Sequence, residues 1–371
     1  MKSIVVGTLK YGIGLGFLAF IYFKYWEGKP LADGTISLGL KDILERPLSW
    51  HMLILALMVL AWAQFLTALR WYYLVRSVGL PFSLYQALRL ALVGYFYSAF
   101  LPGGVSGDLI KAVGIAREQS RRTIAVSTVI VDRLIGLWAV FWLIALLGDL
   151  YQILGVSLVR DQIVIRDMVW WANAIVLGSS AVYLLLVLLP QKRIDRFGQR
   201  LSHVPVVGNH LTEVWNAFGL YRRKVNVIAI SIGISLIGHA SGAVVFHLAS
   251  QFYEVPDPAN ERGTFIQHLL MVPVGNAGQA LMPTPGGVGG GEAFFGYLYH
   301  LLNKPEVNGI ANSLAQRFVT WILCLIGYLI YLQMRVQAHS AKVPALVPNA
   351  ASDLMENEIP EPPRLSSKVL S

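Results

Sequence analysis

Two arginines lie at matching positions in two apolar segments of the chain. Arg133 follows Pro102 by 31 residues, and Arg317 follows Pro285 by 32. Because a charge at the centre of a bilayer costs about 2.5 to 3.5 kcal/mol, each side chain is expected to face the protein interior with a partner. A guanidinium group matches the oxygens of a phosphate in a bidentate fashion. The pattern therefore favours binding of an anionic headgroup, and a buried ion pair that only fixes helix packing is the alternative.

The same helix-breaking sequence precedes both arginines. The chain reads Leu-Pro-Gly-Gly-Val at 101–105 and Pro-Gly-Gly-Val at 285–288. Glycine permits positive φ and lets two backbones approach closely, and a duplicated break in apolar segments is the best sequence pointer to a transport site. Close helix packing alone is the alternative explanation for the glycines. The predicted gating turns comprise Pro102, Gly103, Gly104 and Gly107, and Pro285, Gly286, Gly287 and Gly289.

Further ionisable residues near the turns complete the candidate site. Asp108 and Glu292 begin the segments after the turns, where a carboxylate can cap free helix amides or accompany a bound ligand. The predicted substrate-binding residues are Arg133, Arg317, Asp132, Asp108, Lys111, Glu292 and Arg70. We predict no catalytic residue, no cofactor and no metal site, because the eight histidines show no ligand spacing and the only cysteine is Cys324.

The composition indicates a membrane protein. With 55% hydrophobic and 14% charged residues, the chain of 371 residues has too little polar surface to cover a soluble globule. Apolar stretches long enough to cross about 30 Å of hydrocarbon predict six transmembrane helices, at roughly 5–23, 50–69, 123–147, 168–189, 226–250 and 311–333. The net charge of +9 is explained by basic loops and does not indicate nucleic-acid binding.

Two further apolar stretches, roughly 84–101 and 264–283, run straight into the Pro-Gly-Gly turns. Treating each as half of a re-entrant hairpin places the basic loops 111–122 and 191–224 in the cytoplasm, as the positive-inside bias requires. Segments 149–166 and 252–263 then face outward, and both termini are cytoplasmic. The number of crossings between the two hairpins is odd, so the sequence predicts an all-α polytopic fold built as an inverted repeat.

The predicted organisation is a single transmembrane domain over 1–337. Repeat one covers about 50–148 and repeat two about 226–335. The connector at about 191–224 is amphipathic, and Pro205 and Gly208 should divide it into two short helices. Residues 338–371, rich in proline and serine, predict a disordered cytoplasmic tail.

Several of these motifs together resemble one family. They are Arg70-Trp71, Leu101-Pro102-Gly103-Gly104 with Gly107-Asp108, Asp132-Arg133-Leu134-Ile135-Gly136-Leu137, Pro285-Gly286-Gly287-Val288-Gly289 with Glu292, and Ser313-Leu314-Ala315-Gln316-Arg317. In order and spacing, over roughly 50–335, they resemble the lysylphosphatidylglycerol synthase transmembrane region, a flippase-like family. The chain departs from the family pattern at Lys111, where an arginine is more usual, and at Gly290-Gly291, before Glu292.

The resemblance implies a function in moving lipids. Fused relatives carry a flippase half that transfers aminoacylated phosphatidylglycerol between leaflets, whereas other relatives belong to hopanoid or polyprenyl-linked sugar pathways. We therefore expect translocation of an anionic phospholipid or lipid-linked intermediate across the inner (cytoplasmic) membrane, with membrane lipids as partners. Synthase activity is not expected, because the tail is too short for an aminoacyl-transferase domain. The alternatives are a non-transporting subunit of a separately encoded lipid-modifying or glycosyltransfer enzyme and an intramembrane lipid-modifying enzyme.

Overall fold

The computed structural model describes residues 2–28, 38–101, 106–203, 208–255 and 257–340, and the regular structure in these ranges is helical. The helices are α1 (Lys2–Tyr25), α2 (Leu40–Leu44), α3 (Trp50–Ser77), α4 (Leu84–Phe100), α5 (Ser106–Glu118), α6 (Arg122–Ile153), α7 (Ser157–Arg160), α8 (Ile163–Leu188), α9 (Gln191–Leu201), α10 (Gly208–Tyr221), α11 (Val225–Ala249), α12 (Pro258–Glu261), α13 (Phe265–Leu281), α14 (Gly290–Leu301) and α15 (Glu306–Ser340), with a 3-10 turn at Pro285–Gly287.

Five of these helices are long and apolar enough to cross a membrane. They are α3, α6, α8, α11 and the 306–336 part of α15, and each corresponds to a predicted span. The first predicted span forms α1. The side chains of α1 up to residue 10 lie outside the described part. The chain is therefore an all-α polytopic membrane protein, as predicted, while the count of six spans remains a prediction.

Each Pro-Gly-Gly sequence follows a helix of 17 residues that begins with the same cap. At α4, Gln86 N donates to Ser83 Oγ (3.1 Å) and Ser83 N donates to the Gln86 side chain (2.8 Å). At α13, Gln267 N donates to Thr264 Oγ1 (3.3 Å) and Thr264 N donates to the Gln267 side chain (2.8 Å). These reciprocal bonds satisfy amides that have no partner within the helix. The caps fix where both broken segments begin.

The two parts of the chain that contain the turns have the same order of elements. A long helix (α3) is followed by a helix–turn–helix pair (α4 and α5) and a second long helix (α6), and the order repeats as α11, α13 with α14, and α15. Within each pair the two helices pack together, and α3 packs along α11. Because 17 residues of helix extend only about 25 Å, neither α4 nor α13 reaches fully across the hydrocarbon.

The remaining segments frame this arrangement. As predicted, the connector forms two short helices, α9 and α10. The chain divides into two compact units, residues 1–328 and residues 329–371, and the turns and the charged candidate residues lie in the first. In the second unit, residues 329–340 are helical. The predicted tail at 338–371 thus begins within α15, and its residues 341–371 lie outside the described part.

Candidate functional site

A cavity of about 420 Å³ lies where the broken segments meet the long helices. Helices α3, α4, α11, α13 and α15 and the second turn contribute its walls. The polar or charged residues on the wall are Gln64, Thr67, Arg70, Tyr95, Ser98, Ser235, His239, Asn276, Gln279, Thr284, Ser313, Gln316, Arg317 and Thr320. Its size falls in the range of about 300 to 1,000 Å³ that is typical of small-ligand sites.

Arg317 joins α15 to the second turn. Its Nε donates to Glu292 Oε1 at 2.5 Å, and its Nη1 donates to the carbonyl of Gly286 at 2.8 Å. The side chain is 7% exposed and Glu292 is fully buried. The third nitrogen, Nη2, is buried and has no hydrogen-bond partner among the described residues. A buried unpaired donor is costly, and the same residue, Arg317, contributes to the cavity wall.

Glu292 also closes the start of α14. Its Oε2 accepts a hydrogen bond from the backbone N–H of Gly289 at 2.6 Å. One carboxylate therefore caps the helix and neutralises Arg317. Capping and ligand binding are not exclusive, and ligand binding by Glu292 remains a prediction.

The glycines of the second turn adopt conformations that other residues avoid. Gly286, Gly287 and Gly289 have φ of +56°, +71° and +81°. An added Cβ at Gly286 would lie 2.6 Å from the Ala99 carbonyl, and one at Gly287 would lie 2.4 Å from the Gln279 side chain. The predicted positive φ and close backbone approach are therefore present. The second turn packs against the end of α4.

The first turn is only partly described. Pro102, Gly103 and Gly104 lie outside the described residues. Gly107 is described, and an added Cβ there would lie 2.2 Å from the carbonyl oxygen of Gly94. This close approach lets α5 pack directly on α4. Gating by either turn remains a prediction.

A second cationic group, Arg70, borders the cavity from α3. Its Nε donates to Asp132 Oδ1 and its Nη1 to Ser235 Oγ, both at 2.7 Å. Lys111 Nζ donates to the other carboxylate oxygen of Asp132 at 2.9 Å and lies 4.4 Å from the centre of the Trp71 ring. Arg70, Lys111 and Asp132 are each less than a tenth exposed. Asp132 thus partners bases on two other helices.

Arg133 points away from this cluster. It forms an ion pair with Asp108 of α5, and both side chains are about one-third exposed. The chain separation in this pair is 25 residues, the same as that between Glu292 and Arg317. The structure therefore brings each acid after a turn to the arginine in the next long helix. Arg133 does not belong to the cavity wall, whereas Arg317 does.

Several uncharged residues on the wall are not among the predicted site residues. Gln64 and Thr67 lie three residues apart on α3 and precede the predicted Arg70 at the same interval, and Asn276 and Gln279 lie three residues apart on α13. Residues at this spacing lie on one face of a helix. Polar residues at helical spacing inside an apolar span are the sequence signal that identifies them. His239 lies on the wall as well, with its Nε2 3.0 Å from the Gly136 carbonyl.

Within the described ranges, no group of three or more His, Cys, Asp or Glu side chains is placed to hold a metal ion. Cys324 is a buried free thiol.

The fold and the cavity define a polytopic helical membrane protein with a polar site between two broken-helix units. Residues 13–327 match the model of the family described as the lysylphosphatidylglycerol synthase TM region. The chain belongs to this family, as its motifs predicted. No curated protein matches the chain.

Proposed function

We propose that the chain moves an anionic phospholipid or lipid-linked intermediate between the leaflets of the inner (cytoplasmic) membrane. The family and the membrane helices link the protein to lipid handling. The observation that carries the finer proposal is Arg317, a wall residue of the polar cavity whose buried Nη2 has no hydrogen-bond partner among the described residues. A phosphate oxygen is the acceptor that such a donor fits best.

In this proposal the two helix–turn–helix pairs are re-entrant hairpins that enter from opposite sides. Their short helices and glycine turns support this, because non-helical backbone at membrane depth is tolerated only where protein or a wet cavity surrounds it. The turns act as the gates, and both termini are cytoplasmic. Arg133, at the position that matches Arg317, contacts the headgroup at another stage of transfer.

The chain has no synthase activity in this proposal. It receives a finished lipid, and a separately encoded lipid-modifying enzyme supplies it. The alternative, a subunit that assists such an enzyme without transporting, differs in one measurable property. A transporter moves lipid when it is the only protein in the membrane.

The test is reconstitution of the purified protein into liposomes with a trace of acyl-labelled phosphatidylglycerol. External dithionite bleaches label in the outer leaflet, so the slow loss of the protected fraction measures movement. Arg317→Ala and Arg133→Ala should each reduce the rate by about tenfold or more, which corresponds to the loss of one charge-assisted contact. Arg317→Lys should restore only part of it, since a lysine cannot form the bidentate fork.

The matched control is Arg166→Ala, which removes an exposed arginine. Its rate should equal that of the unmodified protein. If folded protein moves no labelled lipid with or without an ion gradient, the transport proposal is wrong and the accessory role is favoured.

A further inference from the structure

The cavity wall carries unused hydrogen-bonding groups besides Arg317. The side-chain amides of Gln64, Asn276 and Gln316 make no hydrogen bond to the described residues. Thr284 Oγ1 is buried, and it too has no partner in the described part of the chain. Buried or half-buried polar groups of this kind are normally satisfied by protein, water or ligand. The wall therefore offers several uncharged donors and acceptors in a cavity that Arg70 and Arg317 also line.

Free carboxylate oxygens are missing from the described part of this site. Asp132 and Glu292 lie near it, but neither belongs to the wall. The two oxygens of Asp132 accept from Arg70 and Lys111. Those of Glu292 accept from Arg317 and the Gly289 amide. An ammonium group entering the cavity would meet guanidinium groups and no available carboxylate.

The charges near the cavity leave a single positive excess. Arg70 and Lys111 share the one carboxylate of Asp132, whereas Arg317 and Glu292 neutralise each other. A buried charge is tolerated when it is balanced. One negative charge on the ligand balances the positive excess of these five side chains.

We propose that the cavity takes a headgroup with one phosphate-type negative charge and an otherwise uncharged, hydroxyl-rich remainder, and that it excludes headgroups bearing an added amino group. This inference rests on the proposed function and narrows its substrate. The phosphate lies at the guanidinium groups of Arg70 and Arg317, the two cationic residues of the wall, and the hydroxyls bond to the side-chain amides. The family description refers to a lysylated lipid, and this cavity does not match the ammonium groups of such a lipid.

The experiment compares two lipids that carry the same labelled acyl chain. One has the glycerol headgroup of phosphatidylglycerol, and the other has the same headgroup esterified with lysine. Movement of each is followed by dithionite bleaching in separate liposome preparations of the full chain. The glycerol headgroup should move about tenfold faster or more, because like charges and unpaired polar groups discriminate strongly against the wrong ligand.

A pair of charge-adding variants tests the cause. Gln64→Glu should lower the rate for the glycerol headgroup and raise it for the lysylated one, because it supplies the missing carboxylate. Asn276→Asp adds a carboxylate from another helix and should have the same two effects. The prediction can therefore still be tested if one of the two variants does not fold. Gln199→Glu is the matched control, since Gln199 is an exposed residue of α9, and it should leave both rates unchanged.

The headgroup assignment would be wrong if the two lipids moved at equal rates, or if neither folded variant lowered the rate for the glycerol headgroup and raised it for the lysylated one. The transport proposal would not be affected by either result. Absence of movement for every lipid would instead refute the transport proposal, and the headgroup assignment with it. The two failures are thus distinguishable.

Discussion

Replacing Asp132 with asparagine should destabilise the protein severely. The carboxylate accepts from Arg70 at 2.7 Å and from Lys111 at 2.9 Å, and all three side chains are less than a tenth exposed. Asparagine keeps the shape but leaves two buried cations without a counterion. Removing one partner of a buried pair costs about 3 to 5 kcal/mol, which lowers the ratio of folded to unfolded protein by a factor of about 10² to 4 × 10³.

The measurement is equilibrium unfolding of purified protein in a mild detergent as a denaturing detergent is added. Asp161→Asn serves as the control, because Asp161 pairs with Arg160 on the surface and both side chains are more than half exposed. That variant should unfold at the same midpoint as the unmodified protein.

A double variant tests whether the loss of stability comes from the uncompensated positive charge. Lys111→Met combined with Asp132→Asn restores the original net charge of the cluster, so it should recover a large part of the lost stability. If Asp132→Asn unfolds at the unmodified midpoint, the cluster is solvated and the reasoning from burial is wrong.

Two other predictions concern the second turn and the topology. Gly287→Ala should cost about 1 to 3 kcal/mol of stability and slow lipid movement, because φ is +71° there and the added methyl group clashes. The control Gly178→Ala, whose methyl group meets no atom within 4 Å, should change neither stability nor transport. If the two variants transport lipid at the same rate, the second turn does not act as a gate. On a Cys324→Ala background, an impermeant thiol reagent should label Ser120→Cys from the cytoplasmic side and Ser157→Cys from the other; labelling of both from one side would contradict the inverted arrangement.

The sequence predicts the broken helices well because the signals are strong and local. Proline and glycine end a helix wherever they occur together in an apolar run, and both turns follow helices that start at similar caps. The five long helices follow from runs of apolar residues. These features need no knowledge of which helix packs against which.

The pairing of charges is harder to predict, as Asp132 and Arg133 show. Neighbouring residues on a helix point in directions about 100° apart, because one turn contains 3.6 residues. Asp132 consequently faces Arg70 and Lys111, whereas Arg133 faces Asp108. Sequence adjacency suggests a shared role for the two residues, but the helix separates them. Only the packing of the helices decides which acid meets which base.

The uncharged wall of the cavity shows a second limit. Amide and hydroxyl side chains are tolerated in membrane helices for many reasons, so Asn276 or Gln64 alone carries little information. Their repetition at intervals of three residues on separate helices becomes informative once those faces are known to meet. The charged candidates could be proposed individually, whereas the uncharged part of the wall depends on five helices and the second turn together.

The Asp108–Arg133 and Glu292–Arg317 pairs have the same spacing along the chain but different surroundings. The chain separation is the same in both, but Glu292 is fully buried and Asp108 is 28% exposed. Helix α1, which lies outside the repeats, packs against the start of α14, since an added Cβ at Gly289 would lie 2.3 Å from Phe17. The first pair is therefore partly exposed at the protein surface, whereas protein encloses the second pair. The same chain separation between acid and arginine thus gives one partly exposed pair and one buried pair.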